Sequence, residues 1–185
     1  MHYKTKVIKL ISLIIFLFSA CLNINLAYAE LADKDKPLNF ESNNASYDDI
    51  KQTYQLTGNV LITKGTIIIK TNSATVKVNP DGYQNAVAVG GPNGLAYIRQ
   101  KREGLNEFVE GYGDRLEYDS QSDVIKLIGN AKVLRLDASN KIIDQIKAPH
   151  MIYNGRNETY QAIGNGSSGG RVRATIAPKT GGKNE

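Results

Sequence analysis

The side chains able to do chemistry are few and scattered. Beyond residue 29 the 185-residue chain has no cysteine, no tryptophan and one histidine, His150. His150 follows Ala148-Pro149 in a run of strand character, and no second His, Cys or carboxylate stands at ligand spacing from it. It reads as a strand residue at the surface, not as a base or a ligand. Asp48-Asp49 and Asp33-Lys34-Asp35 offer paired carboxylates, but they sit where turns and strand guards belong. The glycine-rich segments 90–94 and 166–170 are not followed by a helical pattern, so they are loops and not phosphate cradles. No catalytic, cofactor or metal site is assigned, and a non-enzymatic role is expected.

The ends of the chain narrow the classes further. Lys4, Lys6 and Lys9 form a positive start, Ile8 to Ala20 form an apolar run overlapping its end, and Ala27-Tyr28-Ala29 gives a small-x-small pattern before polar Glu30. This is the form of a secretory signal peptide with cleavage after Ala29. The apolar run is short for a membrane span, and Asn23 and Asn25 interrupt its extension. Phe18-Ser19-Ala20-Cys21 loosely resembles a lipobox, with Cys21 as the acylated residue in that alternative. Cleavage after Ala29 leaves 156 residues, one domain by length, with 20 basic against 18 acidic residues. A net charge of +2 gives no reason to expect nucleic acid as a partner. Without cysteine the processed chain must be held by packing alone. Residues 30–177 are expected to fold, and 178–185 to form a flexible tail.

What must position any functional surface is a repeat. Leu56-Thr57-Gly58-Asn59-Val60 returns as Leu127-Ile128-Gly129-Asn130-Ala131 and, shortened, as Ala162-Ile163-Gly164-Asn165. In each copy a tyrosine followed by Asp or Asn lies 11 residues before the glycine: Tyr47, Tyr118 and Tyr153. A weaker copy runs from Val78 through Asn79-Pro80-Asp81-Gly82 to Gly90. Between turns the apolar residues alternate with period two, as in Tyr54, Leu56, Val60 and Ile62, or Ala74, Val76 and Val78. That period places them on one face of a strand, and no sustained helical stripe follows Glu30. Each unit is expected to be a strand, a tight Asx turn, and a strand ending in Gly-Asn. One hairpin cannot bury its apolar face alone, whereas stacked copies can. An elongated all-β stack is expected, with Gly58, Gly129 and Gly164 at its corners; an ordinary β-sandwich with similar turns is the alternative.

The runs Leu56 to Val78 (LTGNVLITKGTIIIKTNSATVKV), Val109 to Asp119 (VEGYGDRLEYD) and Ile125 to Val133 (IKLIGNAKV) resemble the OstA-like repeat family of lipopolysaccharide-transport proteins. The resemblance extends from about Leu38 to Pro178. It implies an elongated open β-jellyroll, solenoid-like, of consecutive antiparallel strands. It also implies a periplasmic protein that binds lipopolysaccharide and bridges the inner and outer membranes. The implied partners are lipopolysaccharide through its lipid A acyl chains, an inner-membrane-anchored component at the N-terminal edge, an outer-membrane translocon at the C-terminal edge, and further copies of the chain joined head to tail.

The physical problem and the pattern meet here. Each methylene exposed to water costs about 0.8 kcal/mol, so an acyl chain of roughly a dozen carries on the order of 10 kcal/mol. Crossing water requires an apolar trough inside a polar shell, which two-faced strands can supply. The residues expected to meet acyl chains are Leu38, Phe40, Tyr54, Leu56, Val60, Ile62, Ile67, Ile69, Val76, Val78, Tyr97, Leu116 and Tyr118. Leu38, Phe40, Tyr97 and Tyr118 match lipid-contacting positions of the family and rank first. Leu38 to Ser42 and Arg171 to Ile176 are the expected first and last strands. Two other readings stay open: a carbohydrate-binding or structural β-solenoid of the cell envelope, and the inner-membrane-anchored component of the same transport system.

Overall fold

The computed structural model describes residue 33 and residues 36–102, 104–166 and 170–178. The leader, Cys21 and the tail beyond Pro178 lie outside the described residues. Twelve strands follow one another: β1 (Leu38–Glu41), β2 (Asn44–Asp48), β3 (Thr53–Lys64), β4 (Ile67–Val78), β5 (Gln84–Val89), β6 (Ala96–Lys101), β7 (Phe108–Gly113), β8 (Arg115–Asp119), β9 (Val124–Leu136), β10 (Ile142–Asn154), β11 (Thr159–Ile163) and β12 (Arg173–Ile176). Between β5 and β6 lies a short 3-10 turn at Pro92–Gly94.

All pairings are antiparallel, and they sort into two runs. In one half-sheet the order is β2, β3, β4, β5, β8, β9, β10, β11. In the other it is β1, β3, β4, β6, β7, β9, β10, β12. The long strands β3, β4, β9 and β10 belong to both and bend from one half into the other. The apolar faces of the two halves meet in a single core that includes Leu56, Ile62, Ile69, Leu116 and Met151. The expected all-β jellyroll is present.

The Gly-Asn unit is the corner. At Gly58-Asn59 the register steps from Thr57–Ser73 to Val60–Thr71, so β3 spends one residue more than β4. At Gly129-Asn130 it steps from Ile128–His150 to Ala131–Ala148, with the extra residue on β9. Both pairs take left-handed backbone, Gly58 and Asn59 at φ 79° and 48°, Gly129 and Asn130 at 73° and 47°. This is a β-bulge that bends the strand and sharpens its twist. The bend receives the break in a neighbouring pair of short strands: Asn43 N–H donates to the Gly58 carbonyl at 2.8 Å, and Asp114 N–H to Gly129 at 3.0 Å.

Two expectations about this unit are corrected. The strands do not end at Gly-Asn but run on for five or more residues, because a bulge keeps the ladder paired on both sides. Gly164 is not a third bulge: it follows the end of β11, beside the single bridge between Asn165 and Gly170. The tyrosine–Asx half of the repeat holds in all three copies. The side chains of Asp48, Asp119 and Asn154 accept from the backbone N–H groups of Lys51, Gln121 and Arg156 at 3.0, 2.8 and 3.0 Å. Five residues after each tyrosine a left-handed residue closes the turn: Gln52, Asp123 and Glu158.

Candidate functional site

The interior between the two half-sheets collects most of the expected lining. Leu56, Val60, Ile62, Ile67, Ile69, Val76, Leu116 and Tyr118 are buried in the shared core, and Leu38, Phe40 and Tyr54 pack against it half-buried. Ala86, Ala88, Ala96 and Ala148 line it too, leaving room for the larger side chains opposite. Burial raises the Tyr118 hydroxyl well above its ordinary pKa, with the Asp123 and Asp33 carboxylates adding to the shift. Val78, the last residue of β4, is half-buried and outside the core cluster.

Tyr97 departs from the expectation. Its neighbours Ala96 and Ile98 are the buried residues of β6, so Tyr97 stands on the outer face. There its hydroxyl donates to Glu110 Oε1 at 2.8 Å, and Tyr112 donates to Glu110 Oε2 at 2.8 Å. Arg99 completes the cluster at 2.7 Å from Glu110 while covering the Phe108 ring at 4.0 Å. The reason is register: β6 lies opposite Ile69 through Ile98, which assigns the inward places to 96 and 98. Burial, with Glu110 beside it, pushes the Tyr97 pKa up to about 12.

For Glu110 burial acts upward, but the hydrogen bonds from Tyr112, Tyr97 and Arg99 outweigh it and hold the carboxyl below its usual range. A depressed carboxylate adds stability above its unfolded pKa and loses it as pH falls through the folded one. Glu110→Gln is therefore expected to cost about 1 kcal/mol at neutral pH. In urea titrations the variant and the parent should converge as the pH falls through the depressed Glu110 pKa.

The two halves are joined covalently and by ladder bonds at the corner, and side chains join them again on the opposite side. Along that seam Lys64 Nζ, from the end of β3, donates to Gln84 Oε1 at the start of β5 at 2.8 Å. Farther along, Arg102 in the β6–β7 loop pairs with Glu158 in the β10–β11 turn, and with Glu107 at 2.6 Å. Both clasps tie one half-sheet to the other. Sequence reasoning did not single them out, although one signal was available: Lys64 continues the inward series Val60, Ile62 and is itself buried. Inside, between Ile98, Val109, Leu127, Val133 and Tyr160, there is a gap of about 20 Å³. Around it the described lining residues pack against one another.

The N-terminal and C-terminal ends of the stack differ from the seam. At one end Tyr54 lies between Phe40 and Tyr47, with ring centroids 5.1 and 4.4 Å away. At the other, Tyr153 and Tyr160 stack at 4.7 Å. Among the described residues each end presents two strands with an unpaired edge, β1 and β2 first, β11 and β12 last. Ile176 on β12 is 76 % exposed. Among the described residues no group of three His, Cys, Asp or Glu side chains could share a metal ion.

A bent antiparallel sheet whose halves share one apolar lining, closed by polar clasps on one side and open-edged at both ends, defines the class of open β-jellyrolls. The family model described as LptA/(LptD N-terminal domain) LPS transport protein matches residues 39–165, and the chain belongs to that family. Its relatives include the lipopolysaccharide export system protein LptA of Escherichia coli strain K12, 29% identical over 179 residues, spanning 96% of this chain and 90% of that protein. LptA of Haemophilus influenzae is 30% identical over 168 residues, spanning 89% of this chain and 91% of that protein. The crystal structure of LptH, the LptA homologous periplasmic component of the lipopolysaccharide transport device of Pseudomonas aeruginosa, has a TM-score of 0.69 at 22% identity, covering 80% of this chain and 99% of that one.

Proposed function

We propose that this chain is a periplasmic, non-enzymatic lipopolysaccharide-binding protein, processed after Ala29, that carries lipopolysaccharide from the inner to the outer membrane as part of a protein bridge. The observation that carries the reading is the lining: one apolar interior shared by both half-sheets, in a member of a lipopolysaccharide-transport family. The acyl chains lie between the half-sheets, against Leu38, Phe40, Tyr54, Leu56, Val60, Ile62, Ile67, Ile69, Val76, Val78, Leu116 and Tyr118. Because the lining residues pack against one another, loading parts the halves along the seam while the corner holds. The sugars and phosphates stay in water on the seam side.

The open edges take the neighbours in the bridge. β1 and β2 meet the inner-membrane-anchored component, β11 and β12 meet the outer-membrane translocon, and copies of the chain join end to end. No nucleotide-binding motif is present in the sequence, so a partner drives the movement. The purified chain is expected to shield a polarity-sensitive fluorophore on the acyl chains of lipid A from water. Emission unchanged from that of the lipid in buffer, at saturating protein, contradicts the reading.

A further inference from the structure

The ladders contain rows of directly opposite residues that cross a whole half-sheet. On the outer face one row begins at Glu41 on β1, passes Lys70 and Tyr97, and ends on Lys132, Lys147 and Arg173. One place along, on the inner face, a row begins at Phe40, passes Ile62, Ile69 and Ile98, and ends on Ile146 and Ala174. In the other half-sheet a row begins with the stacked pair Tyr47 and Tyr54 and ends with the stacked pair Tyr153 and Tyr160.

Three cations facing one another on adjacent strands repel. Lys132 rests over the Tyr112 ring, but Lys147 and Arg173 have no carboxylate partner among the described residues. The next place in their row, beyond the free edge of β12, is where a carboxylate would relieve them. The first strand of the chain offers one in that row, Glu41, exposed on β1.

Strand direction allows the match. Each half-sheet has eight strands in strict alternation, so its last strand runs opposite to its first. A second copy placed end to end by simple translation therefore continues both halves with antiparallel pairs.

We infer that copies of this chain join in one register, with Arg173 of one copy opposite Glu41 of the next, Ala174 opposite Phe40 and Ile176 opposite Leu38. This rests on the end-to-end reading above and specifies its joint. The same translation sets Tyr160 opposite Tyr47 and Ala162 opposite Ala45 in the other half-sheet, joining two tyrosine pairs into a stack of four. A slip of one residue turns Arg173 inward. A slip of two one way brings Thr175 against Pro37, which has no N–H to give, and the other way moves Arg173 from Glu41 to Asn43, beyond the end of β1. Only the unslipped register continues all three rows, and it sets apolar Ala174 and Ile176 against apolar Phe40 and Leu38.

Self-association of the processed chain, which has no cysteine of its own, is read by sedimentation equilibrium at low ionic strength. Arg173→Glu and Glu41→Arg are each expected to weaken it about tenfold, and the two combined in one chain to restore it. Oxidation of Arg173→Cys with Glu41→Cys should give a ladder of linked copies, and Arg173→Cys with Asn39→Cys should not. Unchanged association in the single variants, no rescue in the double, the reverse pattern of linking, or a parent chain monomeric at every concentration overturns the register. Lipid protection by the same variants is measured in parallel. Variants that assemble as expected but shield no lipid leave the register standing and remove the carrier reading.

Discussion

Tying the seam shut is expected to abolish lipid loading. In a Lys64→Cys, Gln84→Cys chain, a short reducible linker replaces the contact between Lys64 Nζ and Gln84 Oε1 at 2.8 Å with a covalent bridge. The gap between the half-sheets measures about 20 Å³, room for about one water on that measure. No acyl chain enters it without separation of the half-sheets. The natural clasps oppose that separation weakly: a hydrogen bond to a charged group is worth about 1.5–3 kcal/mol, and the partly exposed Arg102–Glu158 pair about 1 kcal/mol or less. One buried acyl chain offers on the order of 10 kcal/mol, and its methylenes re-cover the lining that parts. Ligand therefore outweighs the clasps but not a covalent link. Fluorescent lipid A uptake should fall to background on linking and return on reduction, with either single-cysteine chain unaffected. Uptake by the linked chain equal to that of the parent would place the lipid somewhere other than between the half-sheets.

The second large effect is expected at the corner. In Gly129→Val a β-branched residue must hold φ near 73°, where any side chain with a Cβ is strained. The new Cβ also meets Asp114 Oδ2 at 2.2 Å, the carboxylate that accepts from Asn130 Nδ2 at 3.0 Å. Strain and the displaced hydrogen bond together should cost about 3 kcal/mol. Gly82→Ala separates the two causes, because Gly82 has φ 83° with nothing within 4 Å of its Cβ; about 1 kcal/mol is expected there. Urea denaturation followed by far-UV circular dichroism measures both. Equal losses in the two variants would show that the approach of Asp114 to the bulge contributes nothing.

Much of this architecture was legible because its signals are local. A tyrosine followed by Asx marks a turn wherever it occurs, and Gly-Asn supplies two left-handed residues in succession, which a bulge needs. The lining residues of β3 and β4 were legible for the same reason, since strand parity is a property of adjacent residues. Tyr97 was misplaced because its orientation depends on the register of β6 against β4, which no local pattern in Ala96–Lys101 reveals. Gly164 looks like Gly129 in sequence, but β11 ends at Ile163 and the rest of β10 pairs with β12 instead, so no bulge forms. The two clasps escaped notice because Lys64–Gln84 spans 20 residues and Arg102–Glu158 spans 56. The split of each end into two edge strands is likewise a consequence of the corner, visible only once the short strands β1 and β2 share β3 as a partner.

The proposed interior site is tested most directly by where a bound lipid can be trapped. Photo-reactive residues placed at Leu116, fully buried in the lining of one half-sheet, and at Tyr97, on the outer face of the other, sample the interior and the exterior of the fold. On irradiation with lipopolysaccharide, adducts are expected from position 116 and not from position 97. Adducts from position 97 alone, or none from position 116 in a chain that still holds lipopolysaccharide, would contradict an interior binding site.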